Sequence, residues 1–375
     1  MKFILMPDSF KGTLSSTEIC NIMKEKIDIH FPDSEVISIP VADGGEGSVD
    51  AFITAVGGKK VHVTVKNPYF EDMDAYYGIL SDGTTAVVEM AACAGLPLVE
   101  DRKNPKLTTT YGVGQLILDA AKSGVKKIVI GLGGSCTNDG GCGAAAAAGV
   151  KFYNDKDEEF VPTGGNLDAI TRISMDDIDP SLKDIEIVTM CDIDNPMYGE
   201  TGAAYIFGPQ KGADEAMVKE LDAGLKALSA VVEKTIGKDI SQIPGAGAAG
   251  AMGAGMVAFF GSELQMGIQT VLDTVKFDDI LSEDAYVFTG EGKLDSQSLR
   301  GKVVIGIAGR TKQYNVPLIA IVGGAEDAEI DKAYEMGVTA AFSINRLPQD
   351  FSISSKRSKE NLSYTMDNIL RLLKI

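Results

Sequence analysis

The sequence predicts an α/β protein in which parallel strands alternate with helices at both ends of the chain. Apolar runs at residues 2–6 and 35–40 indicate strands, and amphipathic segments at 15–30 and 48–56 indicate the helices that follow them. The last third repeats the pattern, with strands predicted at 285–289, 317–322 and 338–344 and helices at 302–314, 328–337 and 358–373. Such alternation is typical of a parallel sheet with helices on its faces.

The first predicted helix carries its own start signal. Ser15 and Glu18 have the spacing of a capping box, in which each side chain bonds the backbone N–H of the other residue. One face of the helix is then traced at helical spacing by Ile19, Ile22, Met23, Lys26 and Ile27. We therefore expect a helix over residues 15–30.

A section of different character begins near residue 59. Residues 59–66 alternate apolar and polar side chains, as in a half-exposed strand, and 76–80 and 85–90 predict two more strands. This spacing favours a mixed or antiparallel sheet. Beyond it we predict helices at 108–124, 143–149 and 214–236, and strands at 127–132 and 185–190. A chain of 375 residues is long enough for two domains.

Charge and composition exclude several classes of function. A net charge of −18, without a cluster of Lys and Arg, argues against a nucleic-acid partner. No apolar run approaches the length of a membrane span. Five cysteines without a CxxC pair do not suggest a disulfide framework, and two histidines leave little room for zinc or Ser-His-Asp chemistry. We expect a cytoplasmic protein.

Two glycine-rich loops with acidic side chains give the strongest indication of function. They are VADGGEGS at residues 41–48 and GLGGSCTNDGG at 131–141, each between a predicted strand and a predicted helix. Glycine lets backbone N–H groups approach a ligand, and a helix N-terminus favours an anion. Asp43, Glu46 and Asp139 would repel an anion unless a metal ion lies between. Phosphate together with Mg²⁺ satisfies both requirements.

Three further strand ends carry polar side chains suited to phosphate, hydroxyl or metal binding. They are DSFK at residues 8–11, CDIDNP at 191–196 and TGEGKLD at 289–295. The carboxyl ends of parallel strands are where such sheets bind ligands. Turn formation and helix capping use the same residue types, so the sequence leaves that alternative open for each loop.

The segment GAGAAG at residues 245–250 matches the pattern GxGxxG, but its context is wrong for a dinucleotide site. The preceding residues DISQIP do not predict a strand, and no βαβ unit with an acidic residue follows. Contact with phosphate or substrate and close packing against the following alanines remain the alternatives.

Six segments together resemble the type I glycerate kinases. A single segment would be weak evidence, but six in order are specific. Where Cys136 and Cys142 stand, that family usually has a small residue, which argues against a thiol role. The segments are PDSFKGTLS (7–15), PVADGGEGS (40–48), GLGGSCTNDGG (131–141), CDIDNP (191–196), GAGAAGAMG (245–253) and TGEGKLDSQS (289–298) with GK at 301–302.

The resemblance implies ATP- and Mg²⁺-dependent phosphorylation of D-glycerate, with the 2-hydroxyl favoured and the 3-hydroxyl as the alternative. It also implies a flavodoxin-like domain built from residues 1–70 and 286–375. An inserted mixed α/β domain would comprise residues 71–285, and the active-site cleft would lie between the two.

From the motifs and the resemblance together we predict three groups of site residues. Which carboxylate accepts the hydroxyl proton and which domain binds the nucleotide stay open. The predicted catalytic residues are Asp43, Asp139, Lys11 and Asp192. The predicted metal ligands are Asp192, Glu291 and Asp295. The predicted substrate and nucleotide contacts are Asp8, Ser9, Gly44, Gly45, Gly133, Gly134, Ser135, Thr137, Asn138, Gly245, Gly247, Gly250, Gly292 and Lys302.

Two other functions compete with a kinase. An NAD-type oxidoreductase acting on a small hydroxy acid is disfavoured by the poor dinucleotide context. A sensor that only binds an acidic metabolite would not need carboxylates at so many strand ends. We expect D-glycerate and ATP as partners, no nucleic acid and no membrane, and either a monomer or a homodimer.

Overall fold

A computed structural model describes residues 1–41, 44–296, 298–347 and 349–374. Strands and helices alternate along the chain, which confirms the predicted α/β class. The strands are β1 (Lys2–Pro7), β2 (Glu35–Ser38), β3 (Gly58–Lys66), β4 (Asp72–Leu80), β5 (Thr85–Glu89), β6 (Lys127–Gly131), β7 (Lys151–Tyr153), β8 (Glu159–Phe160), β9 (Arg172–Ser174), β10 (Glu186–Met190), β11 (Glu263–Gln265), β12 (Ala285–Glu291), β13 (Leu318–Val322) and β14 (Ala340–Ser343).

The helices vary from single turns to more than five turns. They are α1 (Ser16–His30), α2 (Ser48–Val56), α3 (Ala91–Ala94), α4 (Tyr111–Lys122), α5 (Cys142–Ala147), α6 (Ala203–Phe207), α7 (Glu215–Ile236), α8 (Ala248–Phe260), α9 (Gly267–Thr274), α10 (Phe277–Ile280), α11 (Val303–Gln313), α12 (Asp327–Met336), α13 (Phe351–Ser354) and α14 (Ser358–Leu373). In the described part of the chain, no helix combines the length and the apolar character that crossing a membrane would require.

The chain forms two compact units. The first unit comprises Met1–Asp43, Thr54–Val56 and Met266–Ile375, and the second comprises Gly44–Ile53 and Gly57–Gln265. Both boundaries fall earlier in the chain than the predicted positions 70 and 285.

Strand pairing and helix packing explain the two differences. β3, which the prediction gave to the first domain, pairs along its full length with β4 of the second unit. α9 and α10, which the prediction gave to the inserted domain, carry Asp273 and Asp278, and both accept hydrogen bonds from Arg310 of α11 in the first unit.

The first unit contains a five-stranded parallel sheet in the order β2-β1-β12-β13-β14. Counted within this sheet, the order is 2-1-3-4-5, which is that of flavodoxin-like proteins. After β2 the next strand of the sheet lies on the other side of β1, so the topological switch point falls between β1 and β12. This edge is where open α/β sheets bind their ligands.

Helix α1 covers one face of this sheet together with α14. The capping box is present, because the Ser15 hydroxyl accepts from the Glu18 N–H and the Glu18 carboxylate accepts from the Ser15 N–H. Ile19, Met23 and Ile27 are buried as predicted, whereas Ile22 and Lys26, at the margin of the predicted face, are only partly buried. The three buried residues join a core with apolar side chains of β1, β12 and α14.

The second unit contains a six-stranded sheet in the order β11-β10-β6-β5-β4-β3. β3, β4 and β5 pair antiparallel, whereas β5, β6, β10 and β11 pair parallel. The predicted mixed section is therefore confirmed. A separate sheet of short strands, β8-β7-β9, was not predicted from the sequence.

Gly114 of α4 brings this helix into close contact with α5. A Cβ atom at Gly114 would lie 2.2 Å from the Ala144 carbonyl oxygen. Glycine at this position and alanines along α5 therefore allow two helix backbones to pack directly against each other. The alanine run of α5 thus serves a helix–helix contact.

Candidate functional site

A cavity of about 580 Å³ lies in the first unit, at the carboxyl ends of β1, β12, β13 and β14. It includes the switch point between β1 and β12. Residues from two predicted motifs, at the ends of these two strands, line the same cavity. The predicted site residues that line it are Asp8, Ser9, Lys11, Glu291, Gly292, Asp295 and Lys302.

The turn after β1 holds the first of these motifs in place. The Asp8 N–H donates to the Gly290 carbonyl oxygen of β12 at 2.8 Å, which extends the strand pairing by one residue. The Ser9 N–H donates to Asp8 Oδ1 at 2.6 Å. These bonds fix the backbone just before Lys11, whose side chain lines the cavity.

Glu291 ends β12 and is the most buried carboxylate of the cavity. Its side chain is 8% exposed, and Oε1 has no hydrogen-bond partner among the described residues. Burial raises the pKa of Glu291 to about 7, and the nearby charges of Asp8 and Asp295 add to the shift, while a hydrogen bond from Ser298 opposes it. A buried carboxylate with an unpaired oxygen is suited to binding a cation or a proton donor.

The segment between β12 and α11 contributes both signs of charge. The Asp295 N–H donates to Ser298 Oγ at 3.1 Å, and the Ser298 N–H donates to Asp295 Oδ1 at 3.3 Å. Lys302 directly precedes α11 and lines the cavity near the N-terminus of that helix. Lysine and a helix N-terminus both favour an anion, so the cavity combines anion-binding and cation-binding groups.

The predicted metal ligands are divided between the units. Glu291 and Asp295 line the cavity of the first unit, whereas Asp192 belongs to the second. Within residues 1–41, 44–296, 298–347 and 349–374, no three His, Cys, Asp or Glu side chains form a group that could hold a metal ion. Mg²⁺ commonly uses one or two protein carboxylates and completes its shell with phosphate oxygens and water.

In the second unit the two glycine-rich loops lie against each other. The Gly133 N–H donates to the Gly44 carbonyl oxygen at 2.9 Å. A Cβ atom at Gly133 would lie 2.5 Å from Gly45 Cα. These three glycines therefore allow backbone to pack on backbone, while Gly134 is exposed. Their predicted contacts with a ligand stay predictions.

Asp139 is fully buried, and hydrogen-bond donors surround its carboxylate. Oδ2 accepts from the Thr110 N–H at 2.7 Å, from the Thr110 hydroxyl at 2.9 Å and from the Gly143 N–H at 3.2 Å. Oδ1 accepts from the Gly141 N–H at 3.3 Å. This geometry favours a structural role, the fixing of the loop and the start of α5, over the predicted catalytic one.

Lys211 is a buried residue of this loop cluster that the sequence analysis missed. Its ammonium group, 1% exposed, donates to Ser135 Oγ at 2.9 Å and to the Thr137 carbonyl oxygen at 2.7 Å. Burial lowers the pKa of Lys211 to about 8, although the charge of Asp139 opposes the shift. A lysine in a Gly-Pro turn resembles a solvated one, so the sequence offered no signal.

The side chains of Ser135, Thr137 and Asn138 are buried, although we predicted that they contact a ligand. Asn138 is 0% exposed, and neither its amide nitrogen nor its amide oxygen has a hydrogen-bond partner among the described residues. The same holds for the Thr137 hydroxyl. Their predicted ligand contacts therefore stay predictions.

The glycine loop at residues 245–250 packs against neighbouring backbone, which favours that role over the predicted ligand contacts. A Cβ atom would lie 2.6 Å from the Cys191 sulfur at Gly245, 2.3 Å from the Pro196 carbonyl oxygen at Gly247, and 2.0 Å from the Thr137 carbonyl oxygen at Gly250. No strand of the described residues leads into this loop, so the dinucleotide interpretation is not supported.

The same loop contains consecutive left-handed residues. Ala249, Gly250 and Ala251 have φ values of 55°, 67° and 66°. This conformation costs about 1–2 kcal/mol for each of the two alanines. The packing around them must therefore hold the backbone in place.

Two predicted catalytic residues remain, Asp192 and Asp43. Asp192 is half-buried after β10, in a segment where the Asn195 amide donates to the Thr201 carbonyl oxygen at 2.8 Å. Asp43 lies outside the described residues. Their catalytic roles stay predictions.

Glu89 is a buried carboxylate whose role could not be predicted from the sequence. It ends β5, is 1% exposed, and accepts hydrogen bonds from the Gly47 N–H at 3.1 Å and from the Val49 N–H. It therefore caps α2 from a distant strand. Its position at the end of an apolar run gave no hint of this contact.

The cysteines in the second loop lack the properties of nucleophiles. Cys136 and Cys142 are buried, and burial raises the pKa of Cys136 to about 12 and that of Cys142 well above its usual value. A thiol needs a lowered pKa to react as thiolate near neutral pH. This agrees with the absence of a thiol role that the motif suggested.

We predict that Asp139→Asn destabilises the protein. The substitution removes the charge that strengthens the hydrogen bonds from Thr110 and Gly143. It also places an amide N–H opposite the Gly141 N–H. The free energy of unfolding should therefore fall by about 1.5–3 kcal/mol. Urea unfolding of both proteins measures the loss. Asp214→Asn is the control, because Asp214 is an exposed helix cap where Asn serves equally well. Unchanged stability with a large loss of turnover would return Asp139 to the predicted catalytic role.

We predict that Glu291 makes stability fall as pH rises from about 4.5 to 7. Its carboxyl group has a pKa of about 7 in the folded protein against an ordinary value of 4.5, so the folded state binds more protons than the unfolded state in this range. The contribution is complete below pH 4.5 and is lost as pH rises through 7.

The test compares wild type with Glu291→Gln by thermal melts between pH 4.5 and 8, with EDTA and without nucleotide. The Gln variant should gain stability relative to wild type as pH rises. Glu25→Gln, on the exposed face of α1, should follow the wild type throughout. A constant difference between wild type and Glu291→Gln would contradict the raised pKa.

Comparison with known proteins identifies the family. The model of the Glycerate kinase family matches residues 3–374. The chain is 42% identical to the glycerate kinase of Bacillus cereus (strain ATCC 10987 / NRS 248) over 100% of this chain and 98% of that protein. It is 44% identical to the glycerate 2-kinase of Escherichia coli (strain K12) over 92% and 90%.

A solved crystal structure resembles this chain over nearly its whole length. It is that of a Salmonella typhimurium LT2 protein provisionally named glycerate kinase 2, with a TM-score of 0.87 and 37% identity over 100% of this chain and 98% of that one. Both the sequence match and the structural match cover nearly the whole chain, and they point to the same enzyme class. The chain therefore belongs to the glycerate kinase family.

Proposed function

We propose that this chain transfers the γ-phosphoryl group of ATP to the 2-hydroxyl of D-glycerate, giving 2-phosphoglycerate and ADP. Membership of the family makes the chain a glycerate kinase with ATP as co-substrate. The E. coli relative, a glycerate 2-kinase, supports the 2-hydroxyl. The cavity at the switch point, lined by both lysines and carboxylates, is the observation that carries the proposal.

The charges around the cavity suit phosphoryl transfer. Positioning of the reactants and neutralisation of charge on the transferred group provide most of the catalysis in such reactions. Lys11 and Lys302 would offset the negative charge of phosphate oxygens. The Ser9 hydroxyl would donate a hydrogen bond to the bound substrate.

Magnesium is the metal ion that the family implies, and the cavity offers donors that fit it. Glu291 Oε1 is buried without a hydrogen-bond partner among the described residues, and Asp295 lines the same cavity. These two carboxylates would hold the ion together with phosphate oxygens. When bound, Mg²⁺ would neutralise part of the charge on the phosphoryl group.

The proton of the glycerate hydroxyl needs an acceptor. Asp43 and Asp192 keep the catalytic roles predicted from the sequence, while the saturated carboxylate of Asp139 favours a structural role. A general base contributes about 10²–10⁴-fold to the rate.

We predict that the purified protein consumes ATP only when D-glycerate and Mg²⁺ are both present. A coupled assay for ADP measures turnover, and ³¹P NMR identifies the product as 2-phosphoglycerate. EDTA should abolish the activity and an excess of Mg²⁺ should restore it. Turnover that gives 3-phosphoglycerate would correct the position of transfer, and no turnover with any divalent metal would refute the function.

We predict that Lys11→Ala raises KM for ATP or D-glycerate at least about tenfold and changes kcat less. A side chain that binds ground state and transition state equally affects KM rather than kcat. Steady-state kinetics measure the split between the two constants. Lys24→Ala is the matched control, because Lys24 pairs with Asp28 on the exposed side of α1. Wild-type kinetics in Lys11→Ala would exclude Lys11 from binding.

A further inference from the structure

We propose that the cavity of the first unit binds the nucleotide, with the adenine near the end of β14 and the phosphates at the ends of β1 and β12. The inference rests on the proposed function for the identity of the nucleotide. To that function it adds the unit that binds ATP and the direction in which the nucleotide lies along the sheet edge.

The size of the cavity fits a nucleotide better than a three-carbon acid. Its volume of about 580 Å³ lies within the range of about 300–1,000 Å³ that is typical of sites for larger ligands. It extends along the sheet edge from β1 to β14, across three strand spacings of about 4.8 Å, or roughly 14 Å. Glycerate would occupy only a small part of this length.

The charged side chains lie at one end of the cavity. Lys11 follows β1, Glu291 ends β12, and Lys302 precedes α11. This end contains the switch point, where open α/β sheets bind ligands. Phosphate oxygens and their metal ion need these groups, whereas adenine does not.

The part of the lining that comes from the segment after β14 is apolar and carries hydroxyl groups. Ile344 follows β14, and Phe351 begins α13. Both line the cavity, as do Ser354 and Ser355. An aromatic ring can stack on a base, and hydroxyl groups can bond the base edge or the ribose. The charged lining residues thus come from the ends of β1 and β12 and the segments that follow them, whereas the segment after β14 contributes apolar and hydroxyl-bearing ones, a division that matches the two parts of a nucleotide.

The middle of the cavity is open at Gly324, after β13. A Cβ atom at this position would meet no heavy atom within 4 Å, and Gly324 does not have a positive φ. A larger side chain is therefore compatible with the backbone and would extend into the cavity. This makes Gly324 the position at which the proposal can be tested by filling the site.

The first experiment measures binding of ADP with Mg²⁺ to the full chain by isothermal titration calorimetry. Gly324→Leu should raise Kd for ADP at least about tenfold and leave KM for D-glycerate within about twofold. Gly309→Leu is the matched control, because Gly309 is exposed on α11, meets no heavy atom within 4 Å and does not line the cavity. It should bind ADP like the wild type. Unchanged Kd for ADP in a folded Gly324→Leu variant would overturn the proposal, as would a rise confined to KM for D-glycerate.

A second variant keeps the proposal testable if Gly324→Leu fails to fold. Phe351 is 69% exposed, so Phe351→Ala should fold. Loss of stacking should raise Kd for ADP at least about fivefold, while Kd for inorganic diphosphate should not change. Ile353→Ala, at a position that is 50% exposed and does not line the cavity, is the control. Equal affinity of wild type and Phe351→Ala for ADP would refute the orientation.

These measurements separate the inference from the proposed function. Calorimetry needs no turnover, so a wild-type protein that binds ADP in this cavity but does not phosphorylate D-glycerate would support the inference and refute the function. Wild-type turnover of D-glycerate in Gly324→Leu, whose cavity is filled, would support the proposed function and refute the inference.

Discussion

Strands β1 and β12 come from opposite ends of the chain, and their parallel pairing holds the two halves of the cavity together. The register joins Met6 to Thr289 and Pro7 to Gly290, and the Thr289 hydroxyl donates to the Met6 carbonyl oxygen at 2.9 Å. A neighbouring strand lies about 4.8 Å away, so this register puts the turn after β1 beside Glu291. A slip of one residue would turn every side chain of the strand to the other face and shift Asp8 and Lys11 away from Glu291.

Each unit buries a carboxylate, but the hydrogen bonding of the two carboxylates differs. Asp139 is surrounded by N–H and O–H donors, which satisfy its charge and fix a loop. Glu291 is nearly as buried but keeps an oxygen without a hydrogen-bond partner among the described residues. Burial raises the pKa of both carboxyl groups, so the unpaired oxygen is what distinguishes Glu291. Burial alone therefore does not mark a functional carboxylate. An uncompensated one, which costs stability in the free protein, is the better sign of a binding site.

Strand ends, the capping box and the mixed sheet could be predicted because each follows from local spacing. Three kinds of feature could not. Lys211 and Glu89 act on loops that are distant in sequence, and neither a lysine in a turn nor a glutamate after a strand differs locally from a solvated one. The glycines at 245–250 have the spacing of a phosphate loop, but close backbone packing requires the same residues. The short strands β7 to β9 are too short to show a period.

The parallel pairing of β1 with β12 also has a consequence for biosynthesis. Thr289 and Met6 are 283 residues apart, and ribosomes add about 5–20 residues per second. On the order of 15–60 s therefore passes between the synthesis of β1 and the synthesis of β12, its partner in the sheet. All residues of the second unit are synthesised before β12, so its core can close while the sheet of the first unit is still incomplete. The cavity cannot be complete until β12, β13 and β14 have been synthesised, and until then the edge of β1 that β12 later covers is open to pairing with other strands.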